Sequence, residues 1–400
     1  MILNVIEAIA VSEKFDVIVV GLGAVGSATV FQLAKRGAKV LGIDRFAPPH
    51  KFGSSHGETR ITRLACGEGA VYTQFARRSH EIWRELERET GEQLLLQNGL
   101  LVISGKGQRA SAHGNPAFLQ SSIDAAAENG VTHEVLTDHA IRKRFPAFNV
   151  ADGDSAYYEP EAGILFPERG VDVQLKAAVK HGARLHTNEA VDRFEARKDG
   201  VEVVTNKATN TADKVVVSAG PWLPDLLPKS LSRQFTIRRQ VLLWFALKDG
   251  EPPERYKPDA FPVFYWQLPR KQALYGFPWI DTAEPAIKVA TEQYDTSTTA
   301  NSIDRNVTPE EIAAVYRDYV ADFMPGVSSR CIKFATCMYT CTEDTHFVID
   351  TLPNDPRVLV ASPCSGHGFK HSPAIGEGIA ELLARGRSTH VSFDELKWAV

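Results

Sequence analysis

The sequence predicts an α/β fold, in which a parallel sheet with helices is interleaved with a second unit of the α+β type. Three observations support this prediction. Residues 15–44 carry a strand–turn–helix–strand pattern, residues 182–220 return short strands toward the same sheet, and residues 238–293 carry dense aromatic side chains at strand spacing. The 400 residues, of which 44% are hydrophobic, can bury a large core, and their number favours two domains over one.

The first element is FDVIVVGLGAVGSATVFQLAKRGAKVLGID, which opens with an apolar run at 17–20 that is typical of a buried parallel strand. Gly21 permits a tight turn, Gly23 leaves room for a pyrophosphate beside the backbone, and Gly26 lets the following helix pack closely on the strand. That helix directs its free N–H groups and the positive end of its dipole toward the phosphates. Asp44, 18 residues after Gly26, can accept hydrogen bonds from an adenosine ribose. The pattern indicates a dinucleotide, NAD as well as FAD; the alternative is a glycine-rich turn in an ordinary α/β unit.

The segment after Asp44 leaves the first sheet. Residues 45–63 form a polar loop rich in Gly, Pro and Ser, which is long enough to reach a ligand at the glycine turn. An amphipathic helix follows and ends near Gly91. Apolar runs on either side of an Asn-Gly pair then predict a β-hairpin within residues 94–103. We therefore expect the second unit to begin here.

Later segments return to the first sheet twice. Residues 182–220 predict a β-meander that ends in a second glycine turn at 218–220. The strands between 238 and 293 suit a large mixed or antiparallel sheet beside the ligand. A strand at 358–361, a glycine-bearing loop and a helix that begins at Ser372 place another helix N-terminus beyond a strand end, where it can stabilise negative charge. Both ends of the chain therefore contribute to the same domain.

Composition narrows the class of function. The net charge of −4, with the two signs interspersed, gives no basic surface for nucleic acid and no polybasic patch for a membrane. Residues 1–11 are apolar but lack the basic region and cleavage site of a signal peptide, and no segment reaches the length of a membrane span. The five cysteines include no CxxC pair, which argues against a disulfide framework or a metal site. We therefore expect a cytoplasmic protein that acts on small molecules, without nucleic acid, membrane or metal.

Five motifs, in the same order along nearly the whole chain, resemble those of the monomeric sarcosine oxidase and N-methyltryptophan oxidase family, within the FAD-dependent amino-acid oxidase superfamily. They are the glycine fingerprint with Asp44, GSSHGETRITR at 53–63, YGFP at 275–278, KFATCMYTCTEDTHFVID at 333–350, and SGHGFKHSPAIGE at 365–377. The resemblance implies that the dinucleotide is FAD.

The resemblance also implies how the chain divides. A Rossmann-like FAD-binding domain of the glutathione-reductase type would comprise residues 1–96, 158–230 and 344–400. A substrate domain of the α+β type, built on a large mixed or antiparallel sheet, would comprise residues 97–157 and 231–343.

In this family the FAD is attached through a thioether between a cysteine and the 8α-methyl group of the isoalloxazine ring. The matching residue is Cys337, in CMYT. Such a tether would hold the ring in place and raise its reduction potential. The alternative is a buried cysteine that packs within a strand, as free cysteines usually do. The resemblance implies further FAD-binding positions, namely Gly21, Gly23, Val25, Gly26, Asp44, Arg45, Ser54, Ser55, His56, Arg60, Val191, Ala219, Gly220, Met338, Gly366, Gly368, Phe369 and Lys370.

The resemblance implies that cations hold the carboxylate of the substrate. Arg63 would offer a bidentate fork and Lys370 a point charge, while Arg60 would lie beside the flavin. Without the family, arginines in this loop would rather suit a solvated face. Tyr275 and Tyr339 match tyrosines of the substrate pocket, and the alternative for each is a half-buried core tyrosine.

Lys288 and Glu292 complete the candidate catalytic residues, with Arg60 and Tyr275. Lys288 matches a lysine that lies over the flavin face and activates dioxygen by placing positive charge where superoxide forms. Four residues on, sarcosine oxidases carry a histidine where this chain has Glu292. If Glu292 faces the substrate, the pocket favours an amine or a second cationic group and disfavours sarcosine itself. The alternative is a salt bridge from Glu292 to a neighbouring lysine or arginine.

These features predict a flavin-dependent oxidase of an N-methyl or cyclic secondary α-amino acid, in which hydride transfer to flavin N5 yields an imine and hydrogen peroxide. A flavin-dependent dehydrogenase that passes electrons to another acceptor is the alternative. A non-catalytic dinucleotide-binding protein fits less well because Arg63, Lys370 and Lys288 are all present. An NAD-dependent hydroxyacid dehydrogenase would leave Cys337 unexplained. We expect a monomer whose partners are the amino acid and dioxygen.

Overall fold

The computed structural model describes residues 13–105, 107, 110–111, 113, 115–280 and 282–398. The apolar segment 1–11, for which the sequence predicts no signal peptide, lies outside the described residues. Within them, no helix is long enough and apolar enough to cross a membrane.

Strands make up two large sheets and one small sheet. In the described part of the chain the strands are β1 Lys14–Val20, β2 Val40–Ile43, β3 Arg60–Thr62, β4 Leu95–Leu96, β5 Leu100–Ser104, β6 Glu134–Thr137, β7 Ser155–Glu159, β8 Gly163–Leu165, β9 Arg184–His186, β10 Val191–Arg197, β11 Gly200–Thr205, β12 Thr209–Val217, β13 Thr236–Leu247, β14 Val263–Gln267, β15 Leu274–Phe277, β16 Ala286–Thr291, β17 Ser297–Thr298, β18 Val327–Cys341, β19 Val348–Leu352 and β20 Asp355–Ser362.

Helices alternate with the strands in the first half of the chain and at its end. They are α1 Ala24–Lys35, α2 Val71–Thr90, α3 Phe118–Glu128, α4 Asp138–Arg144, α5 Pro167–Lys180, α6 Leu223–Leu226, α7 Lys229–Ser232, α8 Pro309–Val315 and α9 Ser372–Arg385. Helix α9 begins at the residue that the sequence predicts, and α2 ends at Gly91, which adopts the left-handed conformation common at helix ends.

The first sheet has the order β10–β11–β12–β1–β2–β9, with β20 beside β12 and β19 beside β20. Strand β1 runs parallel to both β12 and β2, as the strand–turn–helix–strand pattern predicts. Strands β10, β11 and β12 form the antiparallel meander that the sequence predicts for residues 182–220. Strands β1, β12 and β20 run parallel to one another, so their C-terminal ends meet at one edge of the sheet.

Both faces of this sheet are covered by apolar cores. Alternate residues of a strand face opposite sides, so both sets of residues in the run at 17–20 of β1 are apolar. Val17 and Val19 pack with Phe31 of α1 in one apolar core. Ile18 and Val20 belong to another core on the opposite face. Each such side chain, when fully buried, contributes roughly 1.5–3 kcal/mol of transfer free energy, and on the face of Val17 and Val19 this burial holds α1 against the strand that precedes it.

The second large sheet has the order β17–β13–β16–β15–β14–β5–β7–β6, with β18 along β13. It is antiparallel except between β5 and β14, so it is mixed, as predicted. Trp244 of β13 pairs with Lys288 of β16 on one side and with Lys333 of β18 on the other. Cys337 follows Lys333 by four residues on β18, and Tyr275 pairs with Ala290, two residues after Lys288 on β16. Because alternate residues of a strand share a face, Cys337 and Tyr275 lie on the same face of the sheet as Lys288.

The predicted hairpin within residues 94–103 is wrong. Strand β4 pairs with β8, whereas β5 pairs with β7 and β14. Gly99 does turn, with φ +80°, but its N–H donates to Ala162 O and Asn98 Nδ2 donates to Phe261 O. Other segments thus hold this turn in place. The turn leads the chain from β4 in the small sheet to β5 in the second large sheet.

The strands of the first large sheet come from residues 14–43, 184–217 and 348–362, and those of the second come from residues 100–159 and 236–341. The chain therefore passes between the two sheets several times. Strand β7 crosses the predicted boundary between residues 157 and 158. The domain division given above stays a prediction.

Candidate active site

A long cavity takes its walls from the β1–α1 turn, the loop after β2, the end of β12, the face of β13–β18 that carries Cys337, and the loop before α9. Most of the residues that the sequence singles out line it: Gly21, Gly23, Val25, Asp44, Arg45, Ser54, Ser55, Arg60, Arg63, Val191, Ala219, Gly220, Tyr275, Glu292, Cys337, Tyr339, Gly366, Gly368, Phe369 and Lys370. Four others are not among its lining residues, namely Gly26, His56, Lys288 and Met338.

The glycine turn brings the N-terminus of α1 to the cavity. Gly21 has φ +87°, and a Cβ atom on it would lie 2.5 Å from Ser218 O. A Cβ atom on Gly26 would lie 1.7 Å from Gly21 O, so any side chain there would push α1 away from the turn. The first turn of α1 contains no acidic residue, which leaves its positive dipole end free to attract an anion.

Asp44 directly follows β2, and backbone N–H groups hold its buried carboxylate in place. Its Oδ2 accepts a hydrogen bond from Leu22 N at 2.7 Å, and its Oδ1 accepts one from Phe46 N at 2.8 Å. A carboxylate has about four lone-pair sites, so both oxygens can still accept hydrogen bonds from a ribose.

Arg60 lies beside the sulfur of Cys337. Its Nη2 donates to Ser54 O at 2.7 Å and to His56 O at 2.6 Å, and the same nitrogen lies 3.8 Å from Cys337 Sγ. Burial lowers the pKa of His56 to about 3, and the charge of Arg60 adds to the lowering. His56 is therefore neutral beside the arginine at any pH near 7.

Cys337 and Met338 point to opposite sides of β18. The Cys337 thiol lines the cavity, with Sγ 3.6 Å from Ser54 O. The Met338 side chain packs away from the cavity with Ile237 and Ala300, while its carbonyl accepts a hydrogen bond from Ser54 Oγ at 2.7 Å. The alternation of the strand thus explains why only one of the two side chains reaches the cavity.

Lys288 is buried, with 2% of its surface exposed. Its Nζ donates to Gly57 O at 2.6 Å and to Thr59 Oγ1 at 2.9 Å, and it lies over the rings of Phe277 and Trp244 at 4.6 and 5.3 Å from their centroids. Burial holds the pKa of Lys288 well below its ordinary value of 10.5.

Arg63 and Lys370 meet at a third residue, Glu68. Arg63 Nη2 and Lys370 Nζ lie 2.5 and 3.2 Å from the same oxygen, Glu68 Oε1, and all three side chains are buried. Burial alone would raise the pKa of Glu68, but the two cations outweigh it and hold that pKa well below its ordinary value. Among the described residues, Arg63 Nε and Glu68 Oε2 have no hydrogen-bond partner, so the cluster retains one donor and one acceptor for a ligand.

Tyr275 and Tyr339 place their hydroxyl groups 3.2 Å apart at the cavity wall. Burial raises the pKa of Tyr275 to about 12, so its hydroxyl is a hydrogen-bond donor at neutral pH. Gly366 allows the Tyr339 ring to approach, because a Cβ atom on this residue would lie 2.9 Å from the ring and its φ is +89°.

Glu292 is a buried carboxylate, with 4% of its surface exposed. Its Oε1 lies 3.0 Å from His113 Nε2, and its Oε2 accepts hydrogen bonds from Tyr265 OH at 2.6 Å and from His113 N at 3.2 Å. Burial would raise the pKa of Glu292, but these donors, His113 foremost, lower it overall. Within the described ranges no lysine or arginine pairs with Glu292, so the salt bridge considered as its alternative is replaced by a carboxylate–imidazole pair.

Near Arg63, Lys370 and Glu292, the structure adds residues that carry no sequence prediction, among them Glu68, His113, Tyr265 and His367. Glu68 lies between two glycines in the segment after Arg63, and His367 lies inside SGHGFK, so a closer reading of the motifs could have found both. Only the fold brings His113 to Glu292, since it comes from a loop without a recognisable pattern. The described side chains contain no cluster of three or more His, Cys, Asp or Glu that could hold a metal ion.

The chain is similar to known proteins along nearly its whole length. Residues 16–382 match the family described as FAD dependent oxidoreductase. The chain is 39% identical to the monomeric sarcosine oxidase of Streptomyces avermitilis over 382 residues, which cover 95% of this chain and 96% of that protein. It is 34% identical to the N-methyl-L-tryptophan oxidase of Yersinia pestis, over 96% of this chain and 99% of that protein.

Solved structures show the same fold at lower identity. The structure of NikD, described as an unusual amino acid oxidase essential for nikkomycin biosynthesis, matches with a TM-score of 0.80 and 22% identity, over 96% of this chain and 98% of that chain.

Proposed function

Because this chain belongs to the family of FAD dependent oxidoreductases, we propose that it is an oxidase of an N-substituted α-amino acid, either N-methylated or cyclic. The amine and dioxygen would be converted to an imine and hydrogen peroxide, and water would then hydrolyse the imine. The observation that carries the proposal is the buried pair Arg63 and Lys370, in the same cavity as the glycine turn and Cys337.

The residues present fit FAD. The turn at Gly21 and Gly23 leaves backbone where side chains would block a pyrophosphate, and the N-terminus of α1 faces the same space. Asp44 is fixed where a ribose would lie. When bound, FAD supplies the acceptor for a hydride and passes the electrons on to dioxygen.

The carboxylate of the substrate would bind to Arg63 and Lys370. Arg63 Nε, which has no partner among the described residues, provides a donor that Glu68 does not use. A buried charge-assisted hydrogen bond is about twice as strong as a neutral one. The hydroxyl of Tyr275, or that of Tyr339, can add a neutral donor at the same end.

Lys288 and Arg60 would supply positive charge beside the flavin. Lys288 Nζ already donates to backbone oxygens of Gly57 and Thr59, so its position does not depend on a ligand. Burial favours its neutral form, and a negative charge that develops nearby would favour the protonated form. Such a lysine places a proton and a positive charge where dioxygen would be reduced.

We also propose that FAD is bonded covalently to Cys337 Sγ. The support is that the thiol lines the cavity beside Arg60, on the wall where the flavin would lie. Denaturation of the purified protein in acid tests this: the yellow colour should stay with the precipitated chain, and should move to the supernatant in Cys337→Ser. Colour in the supernatant of the unsubstituted protein would contradict the tether and leave FAD binding intact.

The activity is tested by adding N-methyl and cyclic amino acids to the purified holoprotein without oxygen. We expect at least one of them to bleach the flavin absorbance, and hydrogen peroxide to appear when air is admitted. If no secondary amino acid bleaches the flavin, the proposed function is wrong.

A dehydrogenase that uses another electron acceptor remains the second candidate, and Lys288→Met distinguishes the two. For an oxidase, the rate of flavin reoxidation by dioxygen should fall at least 100-fold, since Lys288 can no longer supply a proton and a positive charge beside the developing anion, while anaerobic reduction changes far less. Lys333→Met is the matched control, because Lys333 also lies over Trp244, at 5.0 Å, but is 44% exposed. Unchanged reoxidation in Lys288→Met, or bleaching without peroxide in the unsubstituted protein, would favour the dehydrogenase.

We propose further that the protein acts as a monomer with dioxygen as its second substrate. The name of its relative, monomeric sarcosine oxidase, supports this proposal. Light scattering on the holoprotein should give a mass close to that of one chain, 44.0 kDa without FAD.

A further inference from the structure

Glu292 is a second buried carboxylate, near Arg63, Lys370 and Glu68 in the cavity, and two of its three hydrogen-bond donors are neutral. Tyr265 OH and the backbone N–H of His113 are neutral donors to its Oε2. Such donors satisfy the oxygen atoms but cancel no charge. Among the described residues, His113 is the side chain in contact with Glu292 that can carry a positive charge, and its Nε2 lies 3.0 Å from Oε1.

Glu68 and Glu292 differ in the cations available to them. Arg63 and Lys370 both lie on Glu68 Oε1. When a substrate carboxylate joins these two cations, it and Glu68 balance them. Glu292 then has only the imidazole of His113, and that same Nε2 also lies 3.7 Å from Glu68 Oε1. Burying a carboxylate without a cation of its own costs free energy, and His113 is shared between Glu68 and Glu292. A positive charge on the substrate beside Glu292 would therefore stabilise the complex.

The position of Glu292 along the sheet indicates which part of a substrate it meets. Its N–H donates to Ala273 O at 3.1 Å, which extends the β15–β16 ladder by one residue. Lys288 lies four residues earlier on the same face, ~13 Å away along the strand. Under the proposed function the reacting nitrogen belongs at the Lys288 end, so a group that reaches Glu292 belongs to another part of the molecule. The nearly parallel rings of Tyr265 and Tyr275, with centroids 6.5 Å apart, line the space between.

Glu292 is nevertheless close to the carboxylate site. His113 Nε2 lies between Glu68 Oε1 and Glu292 Oε1, at 3.7 and 3.0 Å, so the two carboxylates are about two contact lengths apart. In a substrate whose carboxylate binds beside Glu68, a side chain of three or four methylene groups is long enough to bring its end to Glu292. Resting on the proposed function, we propose that Glu292 selects N-substituted α-amino acids whose side chain ends in a cation.

Matched substrates test this inference on the holoprotein. Nα-methyl-L-lysine is compared with Nα-methyl-L-norleucine, and Nα-methyl-L-arginine with its neutral isostere Nα-methyl-L-citrulline. The measurement is the second-order rate constant of anaerobic flavin bleaching at pH 7.5. Within each pair we expect the cationic member to react at least about 10-fold faster, and Glu292→Gln to reduce this preference to about 2-fold or less. In Tyr265→Phe, which removes a neutral donor, the preference should persist.

The outcomes separate this inference from the proposed function. If the neutral member of each pair reacts as fast as the cationic one, the selection is absent while the oxidase activity stands. If Glu292→Gln slows both members of each pair by the same factor, Glu292 acts on the reacting amine or on the structure, and the inference is overturned. If none of these compounds and no simple N-methyl or cyclic amino acid bleaches the flavin, the proposed function fails and the inference fails with it.

Discussion

At the scale of single residues, the substrate end of the cavity is organised by shared carboxylates. Arg63 and Lys370 stay buried because Glu68 takes both as partners, and His113 stays buried between Glu68 and Glu292. Each buried charge therefore has an opposite charge or an imidazole in contact, which is the condition for burying it at all. A substrate carboxylate must share Arg63 and Lys370 with Glu68, and the two anions therefore compete for the same pair of cations.

Glu68→Gln tests that competition. The variant should bind a simple carboxylate such as propanoate about 10-fold more tightly, because Arg63 and Lys370 lose their anionic partner; this corresponds to about 1.4 kcal/mol. Titration of the flavin absorbance measures the affinity. Glu58→Gln is the control, since the Glu58 side chain is 43% exposed and pairs with Lys333. Weaker binding in Glu68→Gln would mean that the carboxylate positions the cations instead of competing for them.

At the scale of elements, the β1–α1 turn depends on close approach of backbone to backbone. Gly21 needs a left-handed conformation as well as an absent side chain, since a Cβ atom on it would lie 2.5 Å from Ser218 O, while Gly26 needs only the absent side chain. The two requirements differ, because a strained φ can be accommodated at a modest cost, whereas a Cβ atom at 1.7 Å from a backbone oxygen requires the helix to move. The helix N-terminus faces the cavity only if both are met.

Gly26→Ala and Gly37→Ala separate these effects. Gly26→Ala should lose most of its FAD and unfold at lower temperature, since α1 must shift by more than 1 Å to admit the methyl group. Gly37→Ala should retain FAD and lose only about 1 kcal/mol, because Gly37 has φ +83° but open space where a Cβ would lie. The flavin absorbance per chain and thermal unfolding are the measurements. Full FAD content in Gly26→Ala would contradict this account of the turn.

At the scale of the whole molecule, helix α2 is tied to the small sheet by a buried histidine. His80 Nε2 lies 2.7 Å from Thr62 Oγ1 of β3, and burial lowers the pKa of His80 to about 4. The unfolded chain would protonate this histidine below its ordinary pKa of 6.5, while the folded chain stays neutral there. The contribution of neutral His80 to the stability of the fold is therefore fully present above pH 6.5 and is lost progressively as the pH falls toward 4.

His80→Gln should reduce this acid sensitivity. Between pH 7 and pH 5 the unsubstituted protein should lose about 2 kcal/mol more stability than the variant, at about 1.4 kcal/mol per pH unit below 6.5. Urea unfolding of the holoprotein at the two pH values gives the comparison. Equal losses in both proteins would show that His80 is protonated in the folded state as well.

Much of the fold could be predicted because its signals are local. The apolar run at 17–20, the glycine spacing and the helix up to Gly91 each depend on neighbours within one element. The hairpin at 94–103 failed because an Asn-Gly turn does not specify its partner strands, and here Ala162 and Phe261 supply the bonds that hold it. Of the candidate site, the sequence supplied the residues that match motifs, and missed those whose roles depend on a distant carboxylate.

What the sequence by itself determined is the dinucleotide turn, the α/β class, the family and the residues that its motifs carry, since all of these are written within short segments. Only the tertiary structure decided that Glu68 takes Arg63 and Lys370 together, and that Glu292 takes His113 instead of a lysine or arginine. Charge compensation in a buried site is a property of distances between segments that are far apart in the chain. No pattern along one segment contains that information.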